Sequence, residues 1–344
     1  MTFVVQVLHF QGVCIIALQL LLLLLLLPLP LLRSSPCPST VEEMVVTTTS
    51  DATTLAEALL CDGSASFKVN WHGHVVIFQT LHVSNGSTLN VTGSESTEAD
   101  AENATVISNG ILLFEVDLGS TVSLTGLTFF GGDGALRVAG GSFLEVISCT
   151  LENNSRISSD QGGAISLEGQ SVFNSYGTAL FISNRAAFGG AISLDNSEVN
   201  FIGKVLFEDN HARYSGGAVS AGGSNVSFGA QTDFTSNTAA YGGAIYLYDG
   251  STIHVGGMAS FAANDAAVNG GAIYAIDASV FVEAGTMFIF NIAATGSGGG
   301  VYASSSVIAL TGAVFTRNRG TSGGGVAFFS SGSILNEIDG IYNS

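Results

Sequence analysis

The chain is poor in positive charge. Its 344 residues include nine Lys and Arg against 27 Asp and Glu, which gives a formal net charge of −18. The basic residues stand singly along the sequence, so no basic patch is available to neutralise phosphate groups. The composition therefore predicts that nucleic acid is not a partner.

Charged residues of either sign are scarce, and so are cysteines. Charged residues make up 10% of the chain and hydrophobic residues 47%, which is enough apolar material for a long core and too little charge for disorder. Of the four cysteines, Cys37 and Cys61 lie in the N-terminal region and are predicted to form a disulfide in an oxidising compartment. Cys149 lies in a strand-like run and is predicted to be a buried thiol.

One long apolar run, rich in leucine, extends from Val13 to Leu32. Residues 1–35 are therefore predicted to be a signal peptide or a membrane anchor. A cleaved signal peptide is favoured because Pro28 and Pro30 would interrupt a spanning helix near its end. Either segment predicts that the chain enters the secretory pathway and is extracellular or held at the cell surface.

Repetition is the dominant feature of the remaining sequence. A Phe-x-x-Asn motif recurs every 26 or 27 residues, at Phe181/Asn184, Phe207/Asn210, Phe234/Asn237, Phe261/Asn264, Phe288/Asn291 and Phe315/Asn318. A Gly-Gly-Ala-Ile motif or a close relative alternates with it, starting at Gly162, Gly189, Gly216, Gly242, Gly270, Gly298 and Gly323. Two motifs locked to one period indicate that each repeat is a structural unit stacked on copies of itself.

One repeat predicts the fold. Within Gly242 to Asp265, three short alternating runs are separated by bends: Ala244 to Tyr248, Thr252 to Val255 and Met258 to Phe261. Three short strands in a coil of about 27 residues are typical of an all-β, right-handed parallel β-helix, whereas a propeller blade requires about 40 residues. We expect the β-helix to cover residues 70–344, with well-formed repeats over 130–340 and about ten coils.

The segment before the β-helix is predicted to close its end. Residues 36–69 form the lead-in and cap in this interpretation. Residues 51 to 62, which include Leu55 and Leu60, are expected to form a short amphipathic helix over the N-terminal edge.

Identical residues one coil apart predict internal ladders. The six phenylalanines of the Phe-x-x-Asn motif are expected to stack in the core. The six asparagines are expected to be buried, to adopt left-handed bends and to hydrogen-bond to one another. A third inward row is predicted at Val172, Val199, Val226, Ile253, Val280, Val307 and Ile334.

The paired motifs resemble the repeats of the chlamydial polymorphic outer-membrane protein family. The resemblance covers residues 130 to 330. It implies a pectin-lyase-like β-helix displayed on a cell surface and a role in adhesion.

An outward row in the first strand is the most site-like feature. Its members are Ser166, Ser193, Ser220, Tyr246, Tyr274 and Tyr302, and Tyr248 lies beside it. A tyrosine stripe on a flat sheet is able to stack sugar rings or to dock another protein. The competing interpretation is ordinary packing between like residues on neighbouring strands.

Catalysis and metal binding find less support. Pectin-lyase-like enzymes need clustered acids, and the repeats contain no Asp-Asp or Asp-x-Asp pair. Glu115 and Asp117 share a strand face that is expected to be solvated. His72 and His74 share a strand side, but only His82 is available as a third ligand.

The sequence therefore predicts a non-enzymatic, adhesin-like or wall- and matrix-associated scaffold without cofactor or metal. Its expected partners are glycans or cell-surface proteins, with membrane contact only through an uncleaved N-terminal segment. A carbohydrate-active lyase or glycoside hydrolase is the alternative. Sequons suggest a glycoprotein and occur at Asn85, Asn90, Asn103, Asn153 and Asn225.

Overall fold

The structure is a computed structural model that describes residues 42–60, 63–94, 104–108, 110–229, 231–330 and 332–343. The predicted signal or anchor segment and the predicted Cys37–Cys61 disulfide lie outside the described residues. Within those residues, regular structure consists of β-strands and one α-helix. No helix in this part of the chain combines the length and the apolar character needed to cross a membrane.

The helix, α1, spans Thr49–Leu59 and begins with a capping box. Asp51 Oδ2 accepts a hydrogen bond from the Thr48 backbone N–H at 2.9 Å, and the Thr48 hydroxyl accepts one from the Asp51 N–H at 3.3 Å. Leu55 and Leu59 are buried, and α1 contacts the first strands of the β-helix. The predicted helix is confirmed, although Leu60 follows its end and is 59% exposed.

Ten strands form what we call the front sheet. They are Leu81–Val83, Phe114–Val116, Leu136–Val138, Ile165–Glu168, Ile192–Asp195, Val219–Gly222, Ile245–Tyr248, Ile273–Ile276, Val301–Ser304 and Ala327–Phe329. Each is hydrogen-bonded in parallel to the equivalent strand of the next coil, as Ile245 is to Ile273.

A 21-stranded sheet, the long sheet, has two arms joined at a bend. The first arm contains Glu42–Val46, Ser66–His72, Thr88–Ser94, Thr121–Thr125, Phe143–Ile147, Val172–Tyr176, Glu198–Phe201, Asn225–Phe228, Thr252–Val255 and Ser279–Val282. The second arm contains His74–Ile77, Ala104–Ser108, Leu127–Phe130, Thr150–Glu152, Thr178–Ile182, Lys204–Glu208, Thr232–Thr235, Ala259–Ala262 and Met287–Ile289. Val307–Thr316 and Ile334–Asn343 run through both arms.

A seven-stranded side sheet closes the coils. Its strands are Ser155–Gln161, Arg185–Phe188, His211–Ser215, Thr238–Tyr241, Asp265–Asn269, Ile292–Ala293 and Arg319–Gly320. The predicted parallel β-helix of about ten coils is therefore confirmed. The structure adds a fourth short strand to most coils, in the segment that follows each repeat asparagine.

The Gly-Gly pair brings the side sheet back to the front sheet. The first glycine takes a left-handed conformation, with φ of 63° at Gly242. The second glycine leaves no room for a side chain, since a Cβ at Gly217 would lie 2.6 Å from the Thr238 backbone nitrogen and would overlap the Gly243 carbonyl. The motif therefore allows the backbones of adjacent coils to touch at this corner.

The repeat phenylalanines form a stacked ladder in the core. Phe207 and Phe234 stack with ring centroids 4.7 Å apart and 5° between planes, and the other neighbours in the row stack similarly. The row consists of Phe181, Phe207, Phe234, Phe261, Phe288 and Phe315, and all six are fully buried. Neighbouring rings in this row therefore cover one another's faces from coil to coil.

The repeat asparagines form a second ladder in the same coils. Each one before the last donates its backbone N–H and its side-chain amide to the Oδ1 atom of the next, at 3.1 and 3.0 Å for Asn210 and Asn237. Bonds of this kind join Asn184, Asn210, Asn237, Asn264, Asn291 and Asn318. Asn154 extends the row by one coil, because its backbone N–H and amide donate to Asn184 Oδ1.

The left-handed bend lies one residue earlier than predicted throughout this ladder. At Asn237, for example, the preceding residue Ser236 has φ of 56°. The residues that precede Asn184, Asn210, Asn264, Asn291 and Asn318 are also left-handed, and they are Ser183, Asp209, Ala263, Phe290 and Arg317. The predicted left-handed conformation of the six asparagines is therefore wrong. The bend before each asparagine turns its side chain into the coil, where it reaches the amide of the next coil.

The last asparagine of the row also departs from the prediction in its burial. Asn184 and Asn291 are fully buried, as expected, whereas Asn318 is only half-buried. Among the described residues Asn318 is the final member of the ladder, so an equivalent asparagine covers it on one side only. Its amide still donates to the Phe288 carbonyl at 2.7 Å, and its Oδ1 accepts from Asn291.

The third predicted row is wrong at both ends. Phe173, rather than Val172, pairs with Val199 and faces the core. At the other end Ile308, rather than Val307, pairs with Val280, and Ile334, which pairs with Val307, is 57% exposed. One coil is a residue shorter and another a residue longer than the average repeat, and a slip of one residue moves a side chain to the opposite face of a strand.

Candidate binding surface

The outward row of the front sheet changes character along the axis. Parallel pairing places ten residues on successive coils, in the order His82, Glu115, Arg137, Ser166, Ser193, Ser220, Tyr246, Tyr274, Tyr302 and Phe328. The predicted alignment of serines with tyrosines is therefore present, but the predicted outward exposure is wrong for Ser166, Ser193 and Ser220, which are all buried. The row has a charged zone, a serine zone and an aromatic zone.

In the aromatic zone the rings stack on one another. Tyr274 and Tyr302 have centroids 4.8 Å apart and planes inclined by 3°, and Tyr246 lies 5.3 Å from Tyr274. Phe328 extends the stack beyond Tyr302 at 5.3 Å. Because neighbouring rings cover the faces of Tyr274 and Tyr302, these residues present ring edges and hydroxyl groups to solvent. Sugar stacking, one of the two predicted uses of the stripe, therefore has no free ring face at these two positions.

Aromatic residues of the side sheet enlarge this surface. Tyr241 packs edge-on against Tyr274 at 5.4 Å, and Phe188 lies 5.3 Å from Tyr214, whose ring is also covered by Arg213. Phe188 and Tyr241 are each 37% exposed. We call the whole set the aromatic face: Phe188, Tyr214, Tyr241, Tyr246, Tyr248, Tyr274, Tyr302 and Phe328. It holds six of the eight tyrosines of the chain.

Three phenol groups of this face, those of Tyr246, Tyr248 and Tyr274, have a raised pKa and stay protonated at neutral pH. Burial raises the pKa of Tyr246 and of Tyr248. Burial, followed by the neighbouring phenols of Tyr302 and Tyr246, raises the pKa of Tyr274 to about 12. The row therefore offers hydroxyl groups that both donate and accept hydrogen bonds.

The charged zone is a network of ion pairs and hydrogen bonds that was not predicted from the sequence. Arg137 donates from Nη1 to Glu115 and from Nη2 to Glu168, both at 2.8 Å. His82 Nδ1 lies 3.0 Å from Glu115, and the Ser166 hydroxyl donates to Glu168 at 3.2 Å. The sequence predicts a solvated Glu115, but Arg137 binds it. The signal is present in the sequence, since Glu115 and Arg137 occupy the same outward position in successive coils.

The other candidate groups lie apart from this surface. His72 and His74 are exposed beside Gly73 at the first coils, whereas His82 belongs to the charged zone. Among the described residues, no group of three His, Cys, Asp or Glu side chains is placed to hold a metal ion. Cys149 is buried as a free thiol, and burial raises its pKa to about 11.

Comparison with known proteins identifies one repeat. Residues 231–248 match the Chlamydia polymorphic membrane protein (Chlamydia_PMP) repeat. The matched segment runs from before Phe234 and Asn237 through the next Gly-Gly-Ala-Ile motif, so the family resemblance of the paired motifs is confirmed at this position. No curated protein and no solved structure matches the chain significantly. The chain is thus a parallel β-helix that carries a polymorphic membrane protein repeat.

Proposed function

We propose that this protein is a non-catalytic, surface-associated scaffold that binds a protein of another cell or of the extracellular matrix through the aromatic face. The observation that carries the proposal is the convergence of five tyrosines in one group of contacting rings, Tyr241, Tyr246, Tyr248, Tyr274 and Tyr302. Tyrosine is the residue most typical of binding surfaces, because it supplies apolar area at a small entropic cost together with a hydroxyl group. The match to a membrane-protein repeat supports a surface location.

A protein fits the stacked tyrosines of this face better than a sugar does. The inner rings of the stack offer edges and hydroxyl groups, which pack against apolar side chains and hydrogen-bond to backbone groups. Two exposed acidic residues, Asp195 and Asp249, lie close enough to this face to act on the Tyr248 phenol. With a net charge of −18 on the chain, we expect a partner with an apolar centre and a basic rim.

The charged zone supports a non-catalytic role. Glu115 and Glu168 are carboxylates of the front sheet, and both accept charge-assisted hydrogen bonds from Arg137. A glycosidase needs one carboxyl group to donate a proton and the other to act as base or nucleophile. Two carboxylates that are hydrogen-bonded to one guanidinium group are better suited to stabilising the contact between neighbouring strands of the front sheet.

A triple substitution tests the binding role. Replacing Tyr246, Tyr274 and Tyr302 together by serine gives this row the residue that it already has at Ser166, Ser193 and Ser220, so the fold should be retained. The labelled protein is bound to a panel of intact animal, plant and bacterial cells and measured by flow cytometry. We expect wild-type binding to be lost after surface proteolysis, to survive periodate oxidation of glycans, and to fall by at least about tenfold in the triple variant.

A second variant controls for general loss of surface aromatics. His254 and Phe281 stack at 4.8 Å on the outside of the long sheet, away from the front sheet, and a variant with serine at both positions should bind like the wild type. Thermal unfolding of all variants checks that the fold is intact. Unchanged binding by the triple variant, binding abolished by periodate alone, or no binding by the wild type would each overturn the proposal.

A further inference from the structure

A glycine interrupts the second outward row of the front sheet. Glu168, Asp195, Gly222 and Tyr248 occupy equivalent positions in four successive coils. A Cβ at Gly222 would lie 2.5 Å from the Tyr248 hydroxyl oxygen and 2.7 Å from its Cε2 atom, and would overlap Cζ. The Tyr248 ring therefore occupies the space that a side chain at position 222 would take, and it buries Gly222.

This arrangement separates Tyr248 from the stacked tyrosines. Its ring is 5.5 Å from Tyr246 and inclined to it by 37°, whereas Tyr274 and Tyr302 are inclined by only 3°. Tyr248 is half-buried, with the glycine backbone beneath it. The ring lies against Gly222 and outside the parallel stack of Tyr274 and Tyr302. A sugar that stacks on this ring would do so on the side away from Gly222.

A polar cleft begins at the residue after Gly222. Its volume is about 300 Å³, and its lining consists of Gln170, Ser171, Val172, Asn196, Ser197, Glu198, Gly223 and Asn225. The longer polar side chains, Gln170, Asn196, Glu198 and Asn225, are all exposed. Internal hydrogen bonds hold two of them: Asn196 Nδ2 donates to Asp195 at 2.8 Å, and Asn200 Nδ2 donates to Glu198 at 2.8 Å.

Planar amides and carboxylates beside an aromatic ring are the groups that recognise sugars. Each amide or carboxylate is able to bond two adjacent hydroxyl groups, and the ring packs against the apolar C–H face of a pyranose. We propose that Tyr248, with Asn196, Glu198 and Asn225, forms a subsite for one or two units of a neutral or amino sugar. The carboxylates of Asp195, Glu198 and Asp249 disfavour sulfated and uronic-acid glycans by charge repulsion.

The subsite shares Tyr248 with the aromatic face, but it does not use Tyr246, Tyr274 and Tyr302, whose stack carries the proposed protein docking. Its test therefore uses sugars alone. The protein is made in a host without N-glycosylation, because Asn225 heads a sequon. It is applied to an array of neutral, amino and sulfated oligosaccharides, and the dissociation constant of the best ligand is measured by titration calorimetry. We expect neutral or amino oligosaccharides to bind and heparin fragments not to bind.

Glycine substitutions provide a matched pair. Gly222→Ala keeps every polar group of the cleft but displaces the Tyr248 ring, and it should weaken binding by about tenfold, as should Tyr248→Ala. At Gly229 the nearest atom to an added Cβ is 3.4 Å away, so Gly229→Ala should bind like the wild type. Tyr248→Phe keeps the ring and should remain within about threefold of the wild type.

Three outcomes would overturn this assignment. They are binding of sulfated glycans only, failure of every neutral and amino oligosaccharide to bind, and undiminished affinity in both Gly222→Ala and Tyr248→Ala. If Gly222→Ala lowers the unfolding temperature, Tyr248→Ala decides alone. The triple serine variant of Tyr246, Tyr274 and Tyr302 should retain sugar binding, so that failure of the protein-docking proposal and failure of the sugar subsite give different results.

Discussion

At the scale of single residues, the asparagine ladder shows how a polar row is buried without loss of hydrogen bonds. Asn237 donates from Nδ2 to the Phe207 carbonyl of the preceding coil and to Asn264 Oδ1 of the following coil, both at 3.0 Å. Its own Oδ1 accepts from the backbone and the amide of Asn210. All four hydrogen-bonding positions of the amide are filled, which satisfies the requirement for burying a polar group.

Replacing Asn237 by leucine should therefore destabilise the protein. The substitution leaves two donors of Asn210 without partners, at about 1–3 kcal/mol for each buried group, and it removes one hydrogen bond to the Phe207 carbonyl. We expect a loss of at least about 3 kcal/mol, measured by urea unfolding. Asn225→Leu is the control, since Asn225 is exposed and outside the ladder, and its effect should be within about 0.5 kcal/mol. Equal stability of Asn237→Leu and wild type would contradict the ladder.

The buried thiol of Cys149 should make stability sensitive to alkaline pH. Burial raises its pKa from 9.0 to about 11 in the folded protein, so the folded state disfavours the thiolate. This contribution to stability is fully present below pH 9 and is lost as the pH rises towards 11, because the unfolded chain then ionises first. At pH 10.5 we expect a loss on the order of 2 kcal/mol relative to pH 8.

Cys149→Ala separates this effect from the ionisation of tyrosines. Urea unfolding at pH 8 and pH 10.5 should show a smaller alkaline loss in the variant than in the wild type. Tyr274, with its raised pKa, is present in both proteins and cancels in the comparison. If both proteins lose the same stability between pH 8 and pH 10.5, burial does not raise the pKa of the Cys149 thiol in the folded state.

At the scale of elements, the sequence predicts strands well because each position of the coil recurs in every repeat. The Phe-x-x-Asn and Gly-Gly motifs define the phase of every coil, and they place the inward phenylalanines and the outward tyrosines on the correct faces. Where a coil is longer or shorter than the average, the assignment of residues to the inward face is wrong by one residue. Counting a constant repeat places Val172 and Val307 inward, although Phe173 and Ile308 take those places.

The missed parts of the candidate surface depend on contacts between elements. The tyrosine row follows from sequence alone, because it is a repeated position on one strand. The position of the Tyr248 ring does not, because it depends on the missing side chain of Gly222 in the preceding coil. The ion pairs of Arg137 with Glu115 and Glu168 likewise join three coils, and the coil of Glu115 lies outside the best-formed repeats. Such features require the register between coils to be known first.

At the scale of the whole molecule, the β-helix is a series of layers in which each coil is covered by its neighbours. The same outward position therefore appears once per layer, and gradual sequence change along the axis turns into distinct surface zones. This is how one row of the front sheet becomes charged at Arg137, small and buried at Ser193 and aromatic at Tyr274. A binding face is obtained by changing one residue per coil, without disturbing the core.

A stack of this kind also needs its ends protected, because an uncovered coil exposes apolar side chains and free strand edges. Helix α1 covers the N-terminal end, with Leu55 fully buried and Gln79 Nε2 donating to the Thr53 carbonyl at 3.4 Å. Leu55→Asp removes about 2–3 kcal/mol of burial and places a carboxylate in that apolar contact. We expect the helix to detach and the protein to self-associate.

Size-exclusion chromatography with light scattering over a range of protein concentrations measures this self-association, and limited proteolysis within Thr49–Leu59 measures detachment of the helix. Leu60→Asp is the matched control, because Leu60 is 59% exposed and its replacement should leave a monomer with a protected helix. A monomeric, protease-resistant Leu55→Asp protein would show that the first coil is stable without its cap. In that case the edge strand of the first coil would resist pairing with another chain without being covered by α1.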